Sequence, residues 1–367
     1  QVVLAGLTTS SNMPTLNATQ PQFGGVQDYF VVKFTNNGTL LWSTYFGGSN
    51  REGYDPSPNA LGAIVSFTGL SVDAAGRAYL TGETRSIDLT VPGGFQSSHA
   101  GGVTDAFVAK YTSGGALCWA TYLGGSIDEW GASASVVNPT HIAFCGTTRS
   151  GDFPLLYAMN STHTGYYSTY ISEFDSSGTL LMSTLHSGND GDMGMGLAAD
   201  ASGALYVTIS TNSDNLPCKN AFQSGFGGGG FDIYVCKLDA PVTPGNPRSL
   251  AWATYLGGSL QDYAYPQGCV LTSSGDIIVV GHTQSSDFPT LNPLQPINMT
   301  DAAAACFSTT GVLQWSTTLG GSHIDNGHAV CNQGSTDIVI LGFTLSSDFP
   351  LINPLQASKD DGQDASN

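Results

Sequence analysis

Apolar residues fall along this chain in short runs separated by Gly, Asp, Asn and Ser, and no run keeps a helical period with capping residues at its ends. The runs Val2–Thr8, Ala78–Thr84 and Leu117–Leu123 are representative: β-branched and aromatic side chains inside, turn-formers on either side. Such runs read as strands. The stretch 69–123 predicts four of them: strand A over 69–73, B over Ala78–Thr84, C over 106–111 and D over Leu117–Leu123. The A–B link Asp73-Ala-Ala-Gly76 and the C–D link Thr112-Ser-Gly-Gly115 carry the Asp and Gly chemistry of tight hairpins.

The pattern repeats. Trp42-Ser-Thr-Tyr-Phe-Gly-Gly-Ser49 returns at Trp119, Trp252 and Trp315, with a worn copy at Met182, so that successive copies lie 77, 63, 70 and 63 residues apart. A second phrase, an apolar run ending Gly-x-Thr followed by Ser-Asp-Phe-Pro, is clearest at 279–289 and 340–350, with looser forms at 4–14, 79–92, 143–154 and 206–217. A third, Asp28-Tyr-Phe-Val-Val-Lys-Phe34, is echoed from Asp105, Asp232, Asp301 and, without the acid, Ser168. Three phrases in fixed order mean a repeat architecture. Four short strands per unit, radially repeated, predict an all-β fold, a β-propeller of about six blades. The blade limits are 49–125, 126–188, 189–258 and 259–321, with partial blades at 1–48 and 322–367.

The Trp-Ser-Thr-Tyr-Leu-Gly-Gly-Ser and Ser-Ser-Asp-Phe-Pro phrases resemble the bacterial SBBP-type β-propeller repeat family along essentially the whole chain. That resemblance implies a secreted or cell-surface propeller and brings no catalytic residues with it.

Strand bookkeeping adds a second expectation. The chain opens with strands B (Val2–Thr8), C (29–34) and D (Leu40–Phe46), and closes with A (328–332) and B (Asp337–Thr344). The split blade needs one of each type, so one B strand is surplus. An uncovered apolar strand is a pairing hazard. Lending it to a second copy generates a filament when the loan does not close on itself; the other reading is a piece of a longer propeller.

Composition narrows the function classes. Among 367 residues there are 28 Asp plus Glu and 10 Lys plus Arg, a net charge of −18, which disfavours nucleic acid and anionic membranes as partners. No apolar run approaches the ~18 residues of a membrane span, so no membrane insertion is expected. No basic-plus-apolar leader opens the chain at Gln1, which reads as a mature chain or a fragment, and the expected location is extracellular.

Candidate chemistry is sparse. There is no nucleophile elbow, P-loop, His-Glu-x-x-His or Cys-x-x-Cys motif, and the chain is read as a non-enzyme with no catalytic residues. Acids recur in the D–A links after Gly-Gly-Ser, namely Glu52, Asp128 with Glu129, Asp190 with Asp192, Asp262 and Asp325. Ringing a channel mouth, Asp128, Asp190 and Asp192 are candidates for Ca²⁺, although a residue present in every unit reads more naturally as a turn stabiliser. Asp232, in a Gly-rich run, matches a calcium-repeat pattern in a single copy. The terminal Asp360, Asp361 and Asp364 form another acidic patch.

Trp130, Tyr54, Tyr263 and Tyr265 fall in the same links and are candidate stacking platforms for a glycan partner. Lys33, Lys110 and Lys237 share one slot of strand C and are expected to pair with a nearby repeat Asp. Of seven cysteines, Cys218 and Cys236 are the local pair that a disulfide would join. Sequons stand at Asn17, Asn37, Asn160 and Asn298, about as many as chance supplies.

Overall fold

A computed structural model of the chain describes residues 1–53, 68–243, 245–298, 300–334, 337–356 and 358. Their fold is all-β: six antiparallel sheets of two to four strands in chain order, with no helix among the described residues. The first sheet holds β1 (Val2–Thr8), β2 (Asp28–Phe34) and β3 (Leu40–Phe46). The second holds β4 (Gly69–Val72), β5 (Ala78–Thr84), β6 (Asp105–Tyr111) and β7 (Leu117–Leu123). The third runs β8 (Glu129–Asn138), β9 (His141–Thr148), β10 (Ser168–Asp175) and β11 (Leu180–His186). The fourth runs β12 (Asp192–Ala199), β13 (Leu205–Thr211), β14 (Asp232–Asp239) and β15 (Ser249–Leu256). The fifth runs β16 (Asp262–Leu271), β17 (Ile277–Thr283), β18 (Asp301–Phe307) and β19 (Leu313–Leu319). The sixth is a pair, β20 (Asp325–Gln333) and β21 (Asp337–Thr344).

The register is the same in the first five sheets. Strand B ends on a Thr facing the first residue of strand C: Thr8 with Asp28, Thr84 with Asp105, Thr148 with Ser168, Thr211 with Asp232 and Thr283 with Asp301. Every C strand shifts register against D at one step, between Lys33 and Phe34, Lys110 and Tyr111, Glu173 and Phe174, Lys237 and Leu238, and Cys306 and Phe307. Repetition of sequence has become repetition of geometry, down to the bulge.

The core lies between successive sheets rather than inside one. The first strands of adjacent sheets pack together, and an apolar cluster fills each seam. Interior strands are therefore buried on both faces. In β5, β6, β13 and β17 every residue is buried. The seam between the fifth and sixth sheets is thinner, built on Ile278, Val280, Ala304, Cys306 and Val330. Among the described residues the sixth sheet has two strands.

Tryptophan ties the first sheet to the second, the second to the third and the fourth to the fifth. Trp42 Nε1 donates to the Ser113 carbonyl (3.1 Å), Trp119 Nε1 to Ser176 (3.2 Å) and Trp252 Nε1 to Thr309 (3.1 Å), each in the C–D turn of the following sheet. The indole lies flat on that turn's glycine. A Cβ on Gly115, Gly178 or Gly311 would meet it at 2.7–2.9 Å, and all three have φ near +90°, at +91°, +89° and +86°. These tryptophans are packing residues, as expected, and the turn glycines are their sockets.

One of the three lysines meets the expectation of an Asp partner, and two do not. Lys237 pairs with Asp200 at 3.5 Å. Lys33 and Lys110 instead donate to backbone: Lys33 Nζ to the Gly76 and Ser113 carbonyls, Lys110 Nζ to that of Ser176. They cap turns of the next sheet beside the indole. Where Glu173 takes this slot, the buried Arg248 neutralises it.

Replacing Gly115 by Ala should cost roughly 2–5 kcal/mol, combining an L-residue at positive φ with overpacking against Trp42. The same change at Gly38, with φ +82° and nothing within 4 Å of the new methyl, should cost only ~1–2 kcal/mol. Urea midpoints of the two variants at low protein concentration provide the check, and equal losses would remove the indole from the account.

Candidate functional site

Every described boundary between sheets is closed by the same polar clamp, built from the Gly-Gly-Ser phrase of one sheet and the Thr-x-Ser-x-Asp phrase of the next. The second glycine's amide donates to an acid four residues on, which opens strand A in the third to sixth sheets and in the second forms an isolated bridge to Thr84. Gly48 to Glu52, Gly125 to Glu129, Gly188 to Asp192, Gly258 to Asp262 and Gly321 to Asp325 span 2.6–3.0 Å. The next amide, from Ser49, Ser126, Asn189, Ser259 or Ser322, donates to Asp88, Asp152, Asn215, Asp287 or Asp348 at 2.8–2.9 Å. One residue further, the amide donates at 2.8–3.0 Å to Ser86, Ser150, Ser213, Ser285 or Ser346. These serines then donate to the strand-A acid, as in Ser213 to Asp192 (3.0 Å) and Ser285 to Asp262 (2.8 Å).

The clamp buries a second acid. The Asp that opens strand C accepts from its own B–C link through Oδ2: Asp28 from Gly24, Asp105 from Ala100, Asp232 from Gly227 and Asp301 from Asn298, at 2.6–3.0 Å. Its other oxygen points at the first glycine. A Cβ on Gly47, Gly124, Gly257 or Gly320 would stand 2.3–2.6 Å from that Oδ1. None of the four Oδ1 atoms has a hydrogen-bond partner among the described residues, and all four aspartates are fully buried. The Gly-Gly pair is thus explained twice over. The first glycine makes room for a carboxylate, and the second for a serine whose Cβ lies 2.5–2.6 Å from where its own would be.

One unit departs from the pattern in a way that tests this account. In the third sheet Ser168 replaces the strand-C Asp and is held by His163 Nδ1 at 2.6 Å. The first glycine is replaced as well, by Ser187. Without a carboxylate pressing on the position, a side chain is tolerated there. The two departures are one physical event.

Two carboxyls in a dry seam titrate late. Burial pushes Asp105, Glu129, Glu52 and Asp232 up to about 7 and Asp192 to about 6. Asp28, Asp262 and Asp301 are raised by burial as well. Within each pair the neighbour's charge adds to the effect, Glu129 on Asp105 and Asp262 on Asp232. Hydrogen bonds from Ser and Thr oppose it without cancelling it. The nearby imidazole in the second unit, His99, stands 3.7 Å from Asp105 Oδ1, and burial lowers its own pKa.

The candidates named from sequence are scattered by this geometry. Asp192 and Asp232 are clamp acids in different seams, Asp190 is exposed, and Asp128 accepts from the Val103 amide and pairs with Arg149 at 3.1 Å. They form no common calcium ring, and no group of three or more His, Cys, Asp or Glu with metal-binding geometry occurs among the described residues. Glu129, Asp192, Asp262 and Asp325 open strand A rather than lining a loop.

Trp130, Tyr263 and Tyr265 also belong to A strands, β8 and β16, not to links. Trp130 is half-buried edge-on to Tyr167 at 5.8 Å. Tyr263 is half-buried against Phe231, Tyr265 and His282. Tyr265 is buried beneath His328 and accepts from Asn326 Nδ2 at 3.0 Å, which takes it out of use as a sugar platform. Tyr54, Asp360, Asp361 and Asp364 lie outside the described residues. All seven thiols are free, including half-buried Cys218 and buried Cys236. Asn17, Asn37 and Asn298 are exposed, whereas Asn160 is half-buried with its amide and carbonyl engaged by Thr184.

Sequence reasoning found the acids but missed their pairing. The signal was present: every Asp opening strand C occurs in a unit whose Gly-Gly is intact, and the one unit lacking it has lost the first glycine. No family model and no curated protein matches this chain, so its role is argued from its own residues.

Two results should follow. Gly124→Ser should destabilise strongly, and Asp105→Ser combined with it should recover part of the loss, a favourable coupling on the order of 1–3 kcal/mol in a double-mutant cycle. Additive losses would overturn the account of the first glycine. For pH, a carboxyl whose folded pKa exceeds its unfolded value of about 4 stabilises the fold when protonated, and that contribution is lost as pH rises through the folded value. The urea midpoint should therefore rise as pH falls from 8 to 5.5. Below about pH 4 it should fall again, because Asp73 and Asp200, lowered by hydrogen bonds and cationic neighbours, then lose their stabilising charge. Glu129→Gln should weaken the rise, and a midpoint flat between pH 8 and 5.5 would contradict the twin-acid seam.

Proposed function

We propose that this protein is a structural β-propeller that assembles end to end outside the cell, copies being joined through their unfinished terminal sheets. In this reading the six sheets are blades around a common axis. Support for that arrangement comes from first strands packing on first strands and from one clamp repeated at every seam. The protein is then a building element rather than a catalyst. A surface poor in both charges and strongly negative overall suits an extracellular setting. No helix among the described residues is long and apolar enough to cross a membrane.

The observation that carries the reading is the state of the terminal B strands. Elsewhere strand B is buried from end to end, as in β5, β13 and β17. In β21 most positions are exposed, Leu341 at 68%, and apolar residues continue into Leu345, Leu351 and Ile352. Strand β1 is at best half-buried, with Val2 and Leu4 exposed. Among the described residues, two strands written for a two-sided interior stand at sheet edges. Strand pairing between copies is the standard relief of such an edge.

Sedimentation velocity and negative-stain microscopy across protein concentration test this. Wild-type protein should form linear or ring-like multimers, and Leu341→Asp should remain monomeric with an unchanged urea midpoint. Monodisperse monomers at every concentration would refute the proposal.

A further inference from the structure

The proposal of end-to-end assembly leaves open which surfaces meet, and the packing of the tryptophans answers it. Three of the four strand-D tryptophans sit on the C–D turn of the following sheet, over a glycine at positive φ and donating to the carbonyl two residues before it. The fourth, Trp315 on β19, has no such turn. The sheet that follows it is, among the described residues, the pair β20–β21, with no strand C or D. Trp315 is half-buried, its Nε1 has no acceptor among the described residues, and it lines an apolar cavity of about 400 Å³ with Val280, Ala303, Leu319, Ile338 and Ile340.

One C–D turn has the opposite deficiency. Between β2 and β3, Thr35-Asn36-Asn37-Gly38-Thr39 aligns with 112–116, 175–179 and 308–312. Gly38 has φ +82°, like Gly115, Gly178 and Gly311, yet nothing lies within 4 Å of where its Cβ would be, whereas those three each face an indole. The chain has one anchor without a socket and one socket without an anchor, at its two ends.

The flanking strands match too. Strand β21 and its link repeat β1 and its link position for position. Ile340-Leu-Gly-Phe-Thr344-Leu-Ser346 aligns with Leu4-Ala-Gly-Leu-Thr8-Thr-Ser10. Asn353 aligns with Asn17, both at positive φ (49° and 50°). Gln356 aligns with Gln20, which bonds Asp28 Oδ2 at 3.0 Å. Strand β1 pairs with β2 from Val2 opposite Phe34 to Thr8 opposite Asp28. In that register β21 would place Ile338 opposite Phe34 and Thr344 opposite Asp28.

We propose that two copies join head to tail by seating Trp315 of one on the Asn36–Gly38 turn of the other, with β21 replacing β1 beside β2 to complete a four-stranded sheet β20–β21–β2–β3. The partner is a second copy because, within one chain, β1 already occupies the edge of β2 and Gly38 stands empty although Trp315 is present in the same molecule. The displaced β1 becomes a free arm. This rests on the reading of the protein as self-assembling and adds to it a contact, a register and a direction.

The direction makes a mixing experiment decisive. Trp315→Ala removes the anchor and leaves the socket. Gly38→Asn fills the socket, with a residue that tolerates positive φ, and leaves the anchor. Each full-length variant alone should lose at least tenfold in association by sedimentation while remaining folded, with a cooperative urea transition at low concentration. Mixed in equal amounts they have one good junction between them, so they should form heterodimers and nothing longer. If wild type assembles but either variant assembles equally well, or the mixture stays monomeric, this contact is wrong and self-assembly stands. If wild type is monomeric, with its fluorescence showing Trp315 buried, the ring closes within one chain and both proposals fall. An unfolded Gly38→Asn protein is replaced by Gly38→Ala, which should weaken association in the same direction.

Discussion

The molecule depends on fitting a glycine between two carboxyls that water cannot reach. At four seams the strand-C aspartate presses on the first glycine of Gly-Gly, with the next sheet's acid beside it at Gly124 and Gly320, while the second glycine admits a serine of the neighbouring sheet. Backbone amides of the turn satisfy the acids on one side, and Thr and Ser hydroxyls on the other. A buried charge is tolerated only when it is neutralised or well hydrogen-bonded. Here the amide donors come from one sheet and the hydroxyls from the next. Neither sheet alone completes the acid's surroundings, so the clamp holds the order and spacing of the sheets together.

Much of the fold was legible in the sequence because the repeats impose strand length. β1, β3, β5, β7 and β21 have the limits that turn residues and apolar runs predict. The roles of particular side chains were harder to read. Glu129, Asp192 and Asp262 were placed in a loop ring because a repeat shows that residues are equivalent without showing which way they face. The lysines were assigned to aspartates because opposite charges suggest pairs, yet Lys33 and Lys110 found carbonyls at turn ends. Tyr265 looked accessible in a polar stretch and is buried because β16 begins three residues earlier. The radial placement of the sheets around one axis remains part of the functional proposal.

The distribution of acids also bears on how an anionic chain stays compact. Exposed aspartates such as Asp88 and Asp152 accept hydrogen bonds from the turn amides, which lower their pKa. Burial raises Glu83 to about 8 and the seam acids Glu52, Asp105, Glu129 and Asp232 to about 7. Of the 28 carboxylate side chains in the sequence, those that would be hardest to keep ionised are the ones that shed their charge most readily. Self-repulsion is thereby moved outward, where solvent and salt screen it.

The exception at Ser168 and Ser187 gives the molecule an internal asymmetry. The boundary between the third and fourth sheets carries one acid where its neighbours carry two, and it is backed by a large apolar cluster that includes Leu197, Val207 and Tyr234. Alkalinity therefore strains the outer joints more than the middle one. Under rising pH the centre acts as a keystone: the flanks loosen, and a compact remnant of the two middle sheets is the last part to yield to a protease.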